Sequence, residues 1–404
     1  MESSRRIPPI VVVVTIALVV AAIVTLIALR AQRAATVTGT TNSALCKQRL
    51  TWATSDTGAT MLSVAALSQT NAWAVGVRGR DAAIMHWDGS GWKSESLPSI
   101  SADSSALNMV SAVNAQDIWA VGRAGLQPLI LHWNGATWTP VDVSPVVAYS
   151  SQFSALAAVA ADDVWAVGSA LTAPNGATQI IAEHWDGHAW KVASAPLGTT
   201  FDAITASATG HVWGIITTND DTGQIVYWDG RAWLVKPTVD SSVPGLSLRT
   251  IAVGGDSEVW VAGSYSPAGA NWAVPIVERW DGKSWLVVPS SQPEARGAWL
   301  TNLAVASDGT VWAGGTSRNI STRLDNAMLE HLDGNPQHTA LYLYPSFYSD
   351  PRHGDAFGVT GMAVIPGSNA VWVMGGMGSV PNTSLPPIDS NGPVASGGFI
   401  LSYC

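Results

Sequence analysis

The chain has 404 residues, more than a single compact domain usually holds, and only 12% of them are charged, against roughly 25% in ordinary soluble domains. The net charge is −9, and Lys and Arg form no block longer than short pairs. This excludes the basic surface that nucleic-acid binding requires, so we expect no nucleic-acid partner. A surface made mainly from Ser, Thr, Asn and Gly favours an extracytoplasmic protein.

The first predicted element is a transmembrane helix over residues 10–29. This segment contains only Val, Ile, Leu and Ala apart from two threonines, and twenty helical residues span about 30 Å, the hydrocarbon thickness of a bilayer. A cleaved signal peptide has a shorter apolar region and a small-residue cleavage site, whereas "LRAQRAATV" offers no clean site. We expect an uncleaved signal anchor, with residues 1–9 as a short tail and 30–45 as a linker.

The charges that flank this segment do not set its orientation, because two arginines precede it and two follow it. The cysteines are more informative. Cys46 and Cys404 are the only two in the chain and lie at opposite ends of the repeat region, which indicates a closing disulfide formed in an oxidising compartment. The alternative is two unrelated buried thiols. With the disulfide, the chain is a single-pass cell-membrane protein with its repeat region on the extracytoplasmic side.

From residue 46 onwards, a unit of four strand-like segments, which we call a to d, recurs along the chain. Strand a is a small apolar run, b reads "VWAVG", c ends in "HWDG", and d begins at the second tryptophan of "WDGxxW". Alternating apolar residues bounded by Gly, Asn and Asp are typical of strands and turns. Seven copies of the b motif occur 46 to 60 residues apart, and their tryptophans are Trp73, Trp119, Trp165, Trp213, Trp260, Trp312 and Trp372.

A repeat of this length with four strands is the signature of a β-propeller blade. The sequence therefore predicts an all-β fold, a seven-bladed β-propeller of four-stranded antiparallel blades over residues 46–404, preceded by one N-terminal transmembrane helix. The seventh copy ends at "GGFILSYC" without a strand d. We expect residues 46–55, "CKQRLTWATS", to supply that strand and to bring Cys46 beside Cys404.

The tryptophans are predicted to be structural, because a blade must bury both faces against its neighbours and broad aromatic side chains fill that space. Asp-Gly in "WDGxxW" suits the c–d hairpin turn, where positive φ is required.

Histidine precedes the motif in four units. These histidines occupy equivalent positions in separate blades, so we expect them to be structural and predict no metal site.

The pattern resembles bacterial extracytoplasmic β-propeller repeats with "WAVG…HWDG…W" units, and its Gly-rich strand b and aromatic pair are similar to kelch repeats. "ASDGTVW" at 306–312 resembles a sialidase Asp-box but falls on the a–b turn. The resemblance covers residues 46–404 and implies the fold, but it implies little about function. The arginine triad of a sialidase is not recognisable, and the Tyr–Cys crosslink of kelch-type copper oxidases is excluded because both cysteines are at the ends of this region.

Strand directions place the b–c loops and d–a connections on one face of a propeller, which we call the long-loop face, and the a–b and c–d turns on the other, the short-turn face. The b–c loops lengthen along the chain while the turns stay short, and insertions collect where binding occurs. The candidate ligand-binding residues are Trp272 and Trp299, which lie outside the repeat positions, and Asp350, Arg352, His353 and Asp355 of "YSDPRHGD". For the latter four, a solvated loop with internally paired charges is the alternative.

We expect a non-enzymatic binding propeller that contacts a protein partner through the long-loop face, since the sequence contains no recognisable nucleophile–base constellation and implies no cofactor. The first alternative is a lectin-like, carbohydrate-binding propeller, with sugar rings stacked on the exposed tryptophans. The second is a degenerate glycoside hydrolase or lyase, which requires two carboxylates about 5–10 Å apart facing the channel. The sequence does not place such a pair.

Overall fold

A computed structural model describes residues 49–402 except 55–58, 145, 147, 221, 239–242, 244, 268, 271, 291–295, 320–324, 333–340, 344–356, 369 and 378–395. All regular elements of the described residues are β-strands, numbered β1 to β28. The unit that contains them extends from Lys47 to Cys404. The first strand, β1, is Arg49–Thr54.

Six sheets, which we call blades 1 to 6, are each built from four consecutive antiparallel strands in the order a, b, c, d. Blade 1 contains β2 (Ala59–Ser68), β3 (Asn71–Arg78), β4 (Asp81–Trp87) and β5 (Trp92–Ser94). Blade 2 contains β6 (Ser105–Asn114), β7 (Asp117–Ala124), β8 (Gln127–Trp133) and β9 (Trp138–Pro140). Blade 3 contains β10 (Ser150–Ala160), β11 (Asp163–Leu171), β12 (Thr178–Trp185) and β13 (Trp190–Val192).

The second half of the chain continues in the same way. Blade 4 contains β14 (Thr200–Ala206), β15 (Val212–Thr217), β16 (Gly223–Trp228) and β17 (Trp233–Lys236). Blade 5 contains β18 (Ser247–Gly255), β19 (Glu258–Tyr265), β20 (Val274–Trp280) and β21 (Trp285–Val288). Blade 6 contains β22 (Arg296–Val305), β23 (Val311–Asn319), β24 (Asp325–His331) and β25 (Leu341–Leu343).

One further four-stranded sheet, the closing sheet, combines the two ends of the unit. Its strands are β26 (Phe357–Val364), β27 (Val371–Met377) and β28 (Ser396–Ser402), with β1 as the outer strand. β1 pairs antiparallel with β28 from Arg49 opposite Ser402 to Thr54 opposite Gly397. The fourth strand of this sheet is therefore supplied from before blade 1.

The predicted fold class, a propeller of seven four-stranded blades preceded by a helix, is wrong in its number of blades. Six blades, not seven, are built from four consecutive strands of the repeat, because the last copy has no strand d of its own and its sheet is completed by β1. No helix occurs among the described residues, and none of them forms a helix long and apolar enough to span a bilayer. The predicted helix 10–29 lies outside the described residues, as do Cys46 and Cys404.

The sheets form a closed ring around their innermost strands. The a strands contact one another in the order β2, β6, β10, β14, β18, β22, β26, and β26 contacts β2 again. Each apolar core cluster lies between two neighbouring sheets rather than within one. The fold is a β-propeller in which every sheet buries both faces against its neighbours.

The tryptophan of each b strand fills this space between sheets. Trp73 of blade 1 lies between Trp133 and Trp138 of blade 2, with ring centroids 4.8 and 5.5 Å away. Four further trios repeat the arrangement: Trp119 with Trp185 and Trp190, Trp165 with Trp228 and Trp233, Trp213 with Trp280 and Trp285, and Trp372 with Trp87 and Trp92. Tilted and edge-on pairs at these distances stabilise by about 0.5–1.5 kcal/mol beyond the area they bury.

A β-bulge interrupts each a strand near its start. The bulged residues are Leu62, Asn108, Ser154, Asp202, Arg249, Thr301 and Thr360. The glycine that ends "WAVG" explains how the bulge is accommodated. A Cβ on Gly76 would overlap the carbonyl oxygen of Thr60, and the same overlap recurs at Gly122, Gly168, Gly263 and Gly315. Glycine is therefore needed where the bulged backbone approaches strand b.

The bulged residues also connect neighbouring sheets by hydrogen bonds. Ser154 Oγ donates to the Phe201 carbonyl at 2.5 Å, and Thr360 Oγ1 donates to the Met61 carbonyl at 2.8 Å. Asn108 and Thr301 make the equivalent bonds to the carbonyls of Phe153 and Val359. In each case the acceptor precedes the next bulge. The bond from Thr360 joins the closing sheet to blade 1.

We expect Thr360→Val, which keeps the shape of the side chain but removes this donor, to lower the free energy of unfolding by about 1 kcal/mol, the usual net value of one such bond. Urea denaturation of the full-length chain measures the change. Thr137→Val, at an exposed position of a c–d turn, is the control and should have little effect. Equal losses for the two variants would contradict a role for Thr360 in ring closure.

Candidate functional site

On the short-turn face, the side chain before the c-strand tryptophan packs on the b-strand tryptophan of the same blade. His86 stacks on Trp73 with ring centroids 4.2 Å apart, and His132 stacks on Trp119 at 4.0 Å. The outer nitrogen of each ring is also engaged. His132 Nε2 lies 2.8 Å from Asp117 Oδ1, and His86 Nε2 lies 3.0 Å from the amide oxygen of Asn71. Burial lowers the pKa of His86, an effect that the nearby Glu95 opposes.

The rest of the "HWDG" motif is used in the same way. The indole of Trp87 donates to the Gln69 carbonyl of the a–b turn at 3.0 Å. Asp88 Oδ1 accepts the amides of Ser90 and Gly91, and Gly89 has a φ of 90°. Asp186, Asp229 and Asp281 cap their turns alike.

Hydrogen bonds also set the ionisation of these turn carboxyls. The bond from Lys93, followed by those from Ser90, holds the pKa of Asp88 well below its usual range. For Asp229 the backbone amides of Ala232 and Arg231 have the same effect on the pKa. Among the described residues no group of three or more His, Cys, Asp or Glu side chains is placed to hold a metal ion. The stacked histidines and the turn aspartates therefore hold the turns of this face together.

The long-loop face is less regular. Its b–c loops comprise residues 79–80 in blade 1, 125–126 in blade 2 and 172–177 in blade 3, and they reach 266–273 in blade 5. Hydrogen bonds connect several of these loops to the next blade. Ala298 N donates to the Ala273 carbonyl at 3.0 Å, and Ser151 N donates to the Leu126 carbonyl at 2.9 Å. The blade 5 loop is thus fixed at its end against the first strand of blade 6.

This connection brings two of the predicted site residues together. Gly297 lies between them, because a Cβ on Gly297 would be 3.8 Å from the Cβ of Trp272 and 3.9 Å from the Trp299 ring. The guanidinium of Arg318 lies over the Trp299 ring, 5.5 Å from its centroid. Trp272 is 46% exposed, whereas no b-strand tryptophan exceeds 6%. We call Trp272, Gly297, Trp299 and Arg318 the tryptophan cluster.

Trp299 was expected in an irregular connection but lies within β22 and is only partly exposed. Strand a of blade 6 begins at Arg296 because it pairs with a long strand b from Arg296 opposite Asn319 onwards. The blade 5 loop also bonds to this strand, at Ala298. Asp350, Arg352, His353 and Asp355 lie outside the described residues, so their role stays a prediction. The sequence did not indicate Gly297 or Arg318, since both are single residues without a repeat equivalent.

Buried glutamates fix the d–a connections that cross this face. Glu183 of blade 3 is 2% exposed and accepts the Ser144 amide at 3.2 Å. Glu330 of blade 6 is 1% exposed and accepts the Ser290 hydroxyl at 2.6 Å. Burial raises the pKa of Glu183, and the bonds from Ser144 oppose this effect. Because these carboxylates hold connecting segments, we assign them a structural role.

No protein-family profile matches the chain, and no curated protein is significantly similar to it. Solved structures are similar in fold. One, described as YCF48 bound to D1 peptide, has a TM-score of 0.53 and 15% identity, and the match covers 89% of this chain and 98% of that one. These figures support the β-propeller fold.

Two further structures are similar over almost their whole length. The WD40 β-propeller domain of Doa1 has a TM-score of 0.55 and 11% identity, with coverage of 89% and 97%. The structure of U3-55K has a TM-score of 0.56 and 11% identity, with coverage of 87% and 98%. At such low identity the likeness shows the fold alone.

The two classes of tryptophan should differ in stability measurements. We expect Trp119→Ala to lower the free energy of unfolding by about 3–5 kcal/mol, because it empties a fully buried site between blades. Trp272→Ala should change it by no more than about 0.5 kcal/mol, as at exposed positions in general. Denaturant titration of the full-length chain tests both. A loss for Trp272→Ala as large as that for Trp119→Ala would show that Trp272 is a core residue.

Proposed function

We propose that this chain is a membrane-anchored, extracytoplasmic binding propeller that contacts a partner protein through its long-loop face. The tryptophan cluster is the observation that carries the proposal. Exposed tryptophan and arginine side chains are the residues that most often dominate protein interfaces. Trp272 presents a large apolar surface at a position where the propeller itself has no use for it.

The attachment of the loop strengthens this argument. Because the Ala273 carbonyl accepts a hydrogen bond from Ala298, Trp272 is held next to a regular strand rather than at the tip of a free loop. A side chain presented by a fixed backbone loses less conformational entropy on binding. YCF48, which shares the fold, is described as bound to a peptide. That description supports a protein partner as the class of ligand to test first.

Carbohydrate binding is the second candidate, favoured by the same exposed indole, because sugar rings stack on aromatic faces.

The hydrolase alternative receives less support. Each bulge lies near the start of an a strand, which follows a d–a connection, so the bulged residues lie towards the long-loop mouth of the central channel. Among these seven residues Asp202 is the one carboxylate, and both of its oxygens accept threonine hydroxyls. A glycosidase requires a pair of carboxylates, one of them able to donate a proton. We therefore propose no catalytic role.

Site-specific photo-crosslinking in intact host cells tests the face. A photoreactive phenylalanine analogue in place of Leu126, which is exposed on the b–c loop of blade 2, should give a discrete crosslinked protein. The product should disappear when Trp272→Ala is added, because the partner then loses its main contact. The same analogue in place of Lys283, in a c–d turn, is the matched control and should give none.

Two other outcomes would redirect the proposal. Crosslinks obtained from position 283 but not from 126 would place the working face on the short-turn side. Binding of the full-length chain to a glycan array, lost in Trp272→Ala, would favour the carbohydrate-binding alternative over a protein partner.

The anchor and the disulfide form the second part of the proposal. The apolar segment 10–29 supports a membrane anchor. The pairing of β1 with β28 supports the disulfide, because Cys46 and Cys404 lie three and two residues beyond the paired Arg49 and Ser402. In the chain-entropy model a disulfide that closes so long a loop contributes about 4–5 kcal/mol.

One labelling experiment tests both. A membrane-impermeant thiol reagent added to intact cells should leave both cysteines unlabelled until a reductant is present, and should then label both from outside. Chains carrying Cys46→Ser or Cys404→Ser are the controls and should expose the remaining thiol without reduction. Labelling of the unreduced wild-type chain would rule out the disulfide, and labelling only after cell lysis would reverse the orientation.

A further inference from the structure

The bulged residues near the long-loop mouth of the channel differ in charge. Four of the seven donate a hydrogen bond to the next sheet, whereas Asp202 of blade 4 and Arg249 of blade 5 are the two charged members. Asp202 is satisfied within its own blade. Its oxygens accept the hydroxyls of Thr200 at 2.9 Å and Thr217 at 2.6 Å.

Arg249 has no such partner among the described residues. Its side chain is partly buried, and none of the hydrogen bonds or ion pairs of the described residues includes it. Arg279, by contrast, is paired with Glu258 at 2.8 Å on the short-turn face. A guanidinium that gives up part of its hydration normally gains a carboxylate or several acceptors in return. No acceptor within the described part of the chain therefore occupies this guanidinium, which can take an anionic ligand.

A second arginine of the long-loop face is in a similar position. Arg123 lies near the end of strand b of blade 2, where its Nη1 donates to the Gly125 carbonyl at 3.1 Å. Its Nε is buried without a hydrogen-bond partner within the part of the chain that the structure describes. Burial lowers the pKa of Arg123, and none of the ion pairs between described residues includes it.

We propose that the long-loop face receives an acidic segment of a partner protein, whose carboxylates bind Arg249 at the mouth of the channel and Arg123 in blade 2. The inference rests on the proposed function only in placing the partner on this face. Carboxylates match the planar donor fork of arginine and form its strongest hydrogen bonds. The net charge of −9 opposes the approach of an acidic segment, so its binding at this face depends on direct contacts with these two arginines.

A defined probe tests this without the natural partner. The probe is a fluorescein-labelled peptide of alternating glutamate and glycine, compared with the same peptide carrying glutamine. Fluorescence anisotropy at low salt should show that the full-length chain binds the glutamate peptide, binds the glutamine peptide far more weakly, and loses affinity as salt is raised. Arg249→Gln and Arg123→Gln should each weaken binding by about tenfold or more, because each leaves a carboxylate without its partner.

Matched variants keep the test decisive. Arg231→Gln, in an exposed c–d turn of the short-turn face, removes the same charge and should leave binding unchanged. Arg249→Lys and Arg123→Lys keep the charge and should retain part of the affinity, and melting temperatures identify any variant that is unfolded. Equal binding of both peptides by the wild-type chain, or equal losses in Arg231→Gln and Arg249→Gln, would overturn the inference.

The outcome is distinguishable from failure of the proposed function. If the crosslinks from position 126 require Trp272 but persist in the Arg249→Gln, Arg123→Gln double variant, the long-loop face binds a partner that is not held by its carboxylates. The proposed function then stands and the acidic-partner inference falls.

Discussion

The burial of a tryptophan from each b strand between neighbouring sheets is the contact on which the rest of this structure depends. In five of the seven sheets this tryptophan lies between two indoles of the next sheet. A sheet of four short strands buries no core by itself, and all the apolar clusters lie between sheets. The ring must therefore close, since an open end would expose a complete tryptophan-lined face. The closing sheet meets this requirement because Trp372 packs between Trp87 and Trp92 of blade 1, while β1 completes its outer edge.

This packing makes the two faces of the propeller chemically unequal. On the short-turn face, a histidine stacks on the b-strand tryptophan, and a residue at the start of strand b forms a hydrogen bond with that histidine. An aspartate caps the c–d turn beside them. All three side chains are therefore engaged in holding the tryptophan in place. Little donor or acceptor capacity is left on the short-turn face for a ligand. On the long-loop face, Glu183, Glu330 and several backbone hydrogen bonds hold the connections, whereas the exposed Trp272 side chain remains open to a ligand. Side chains that bind a partner can therefore be placed on the long-loop face with a smaller loss of folding stability than on the short-turn face.

The sequence predicted much of this architecture because strands and turns leave periodic traces. The "VWAVG" and "WDGxxW" motifs located strands b, c and d, and strand direction together with the loop lengths predicted which face carries the longer loops. The bulges could not be predicted in the same way, because a bulge is a property of strand pairing. Its only trace in the sequence is the recurring glycine opposite it, such as Gly76. Trp299 was assigned to a connection because the pairing of its strand with the long strand b of blade 6 begins earlier than the repeat indicates. Arg123 and Arg249 were missed because single cations form no pattern.

The bulge positions show why a departure from a repeat carries functional information. A donor there forms an inter-sheet hydrogen bond of about 1 kcal/mol, which Ser154 and Thr360 provide. Leu62 has a partly buried apolar side chain in place of the donor, which loses the bond but buries no charge. Arg249 also lacks this inter-sheet hydrogen bond, and its charge is partly buried without a partner among the described residues. Its presence therefore costs the desolvation of the charge in addition to the missing bond. Residues that lower stability in this way without a structural return are those expected at sites of function, and Arg249 lies on the same face as Trp272, where the propeller leaves side chains free to bind.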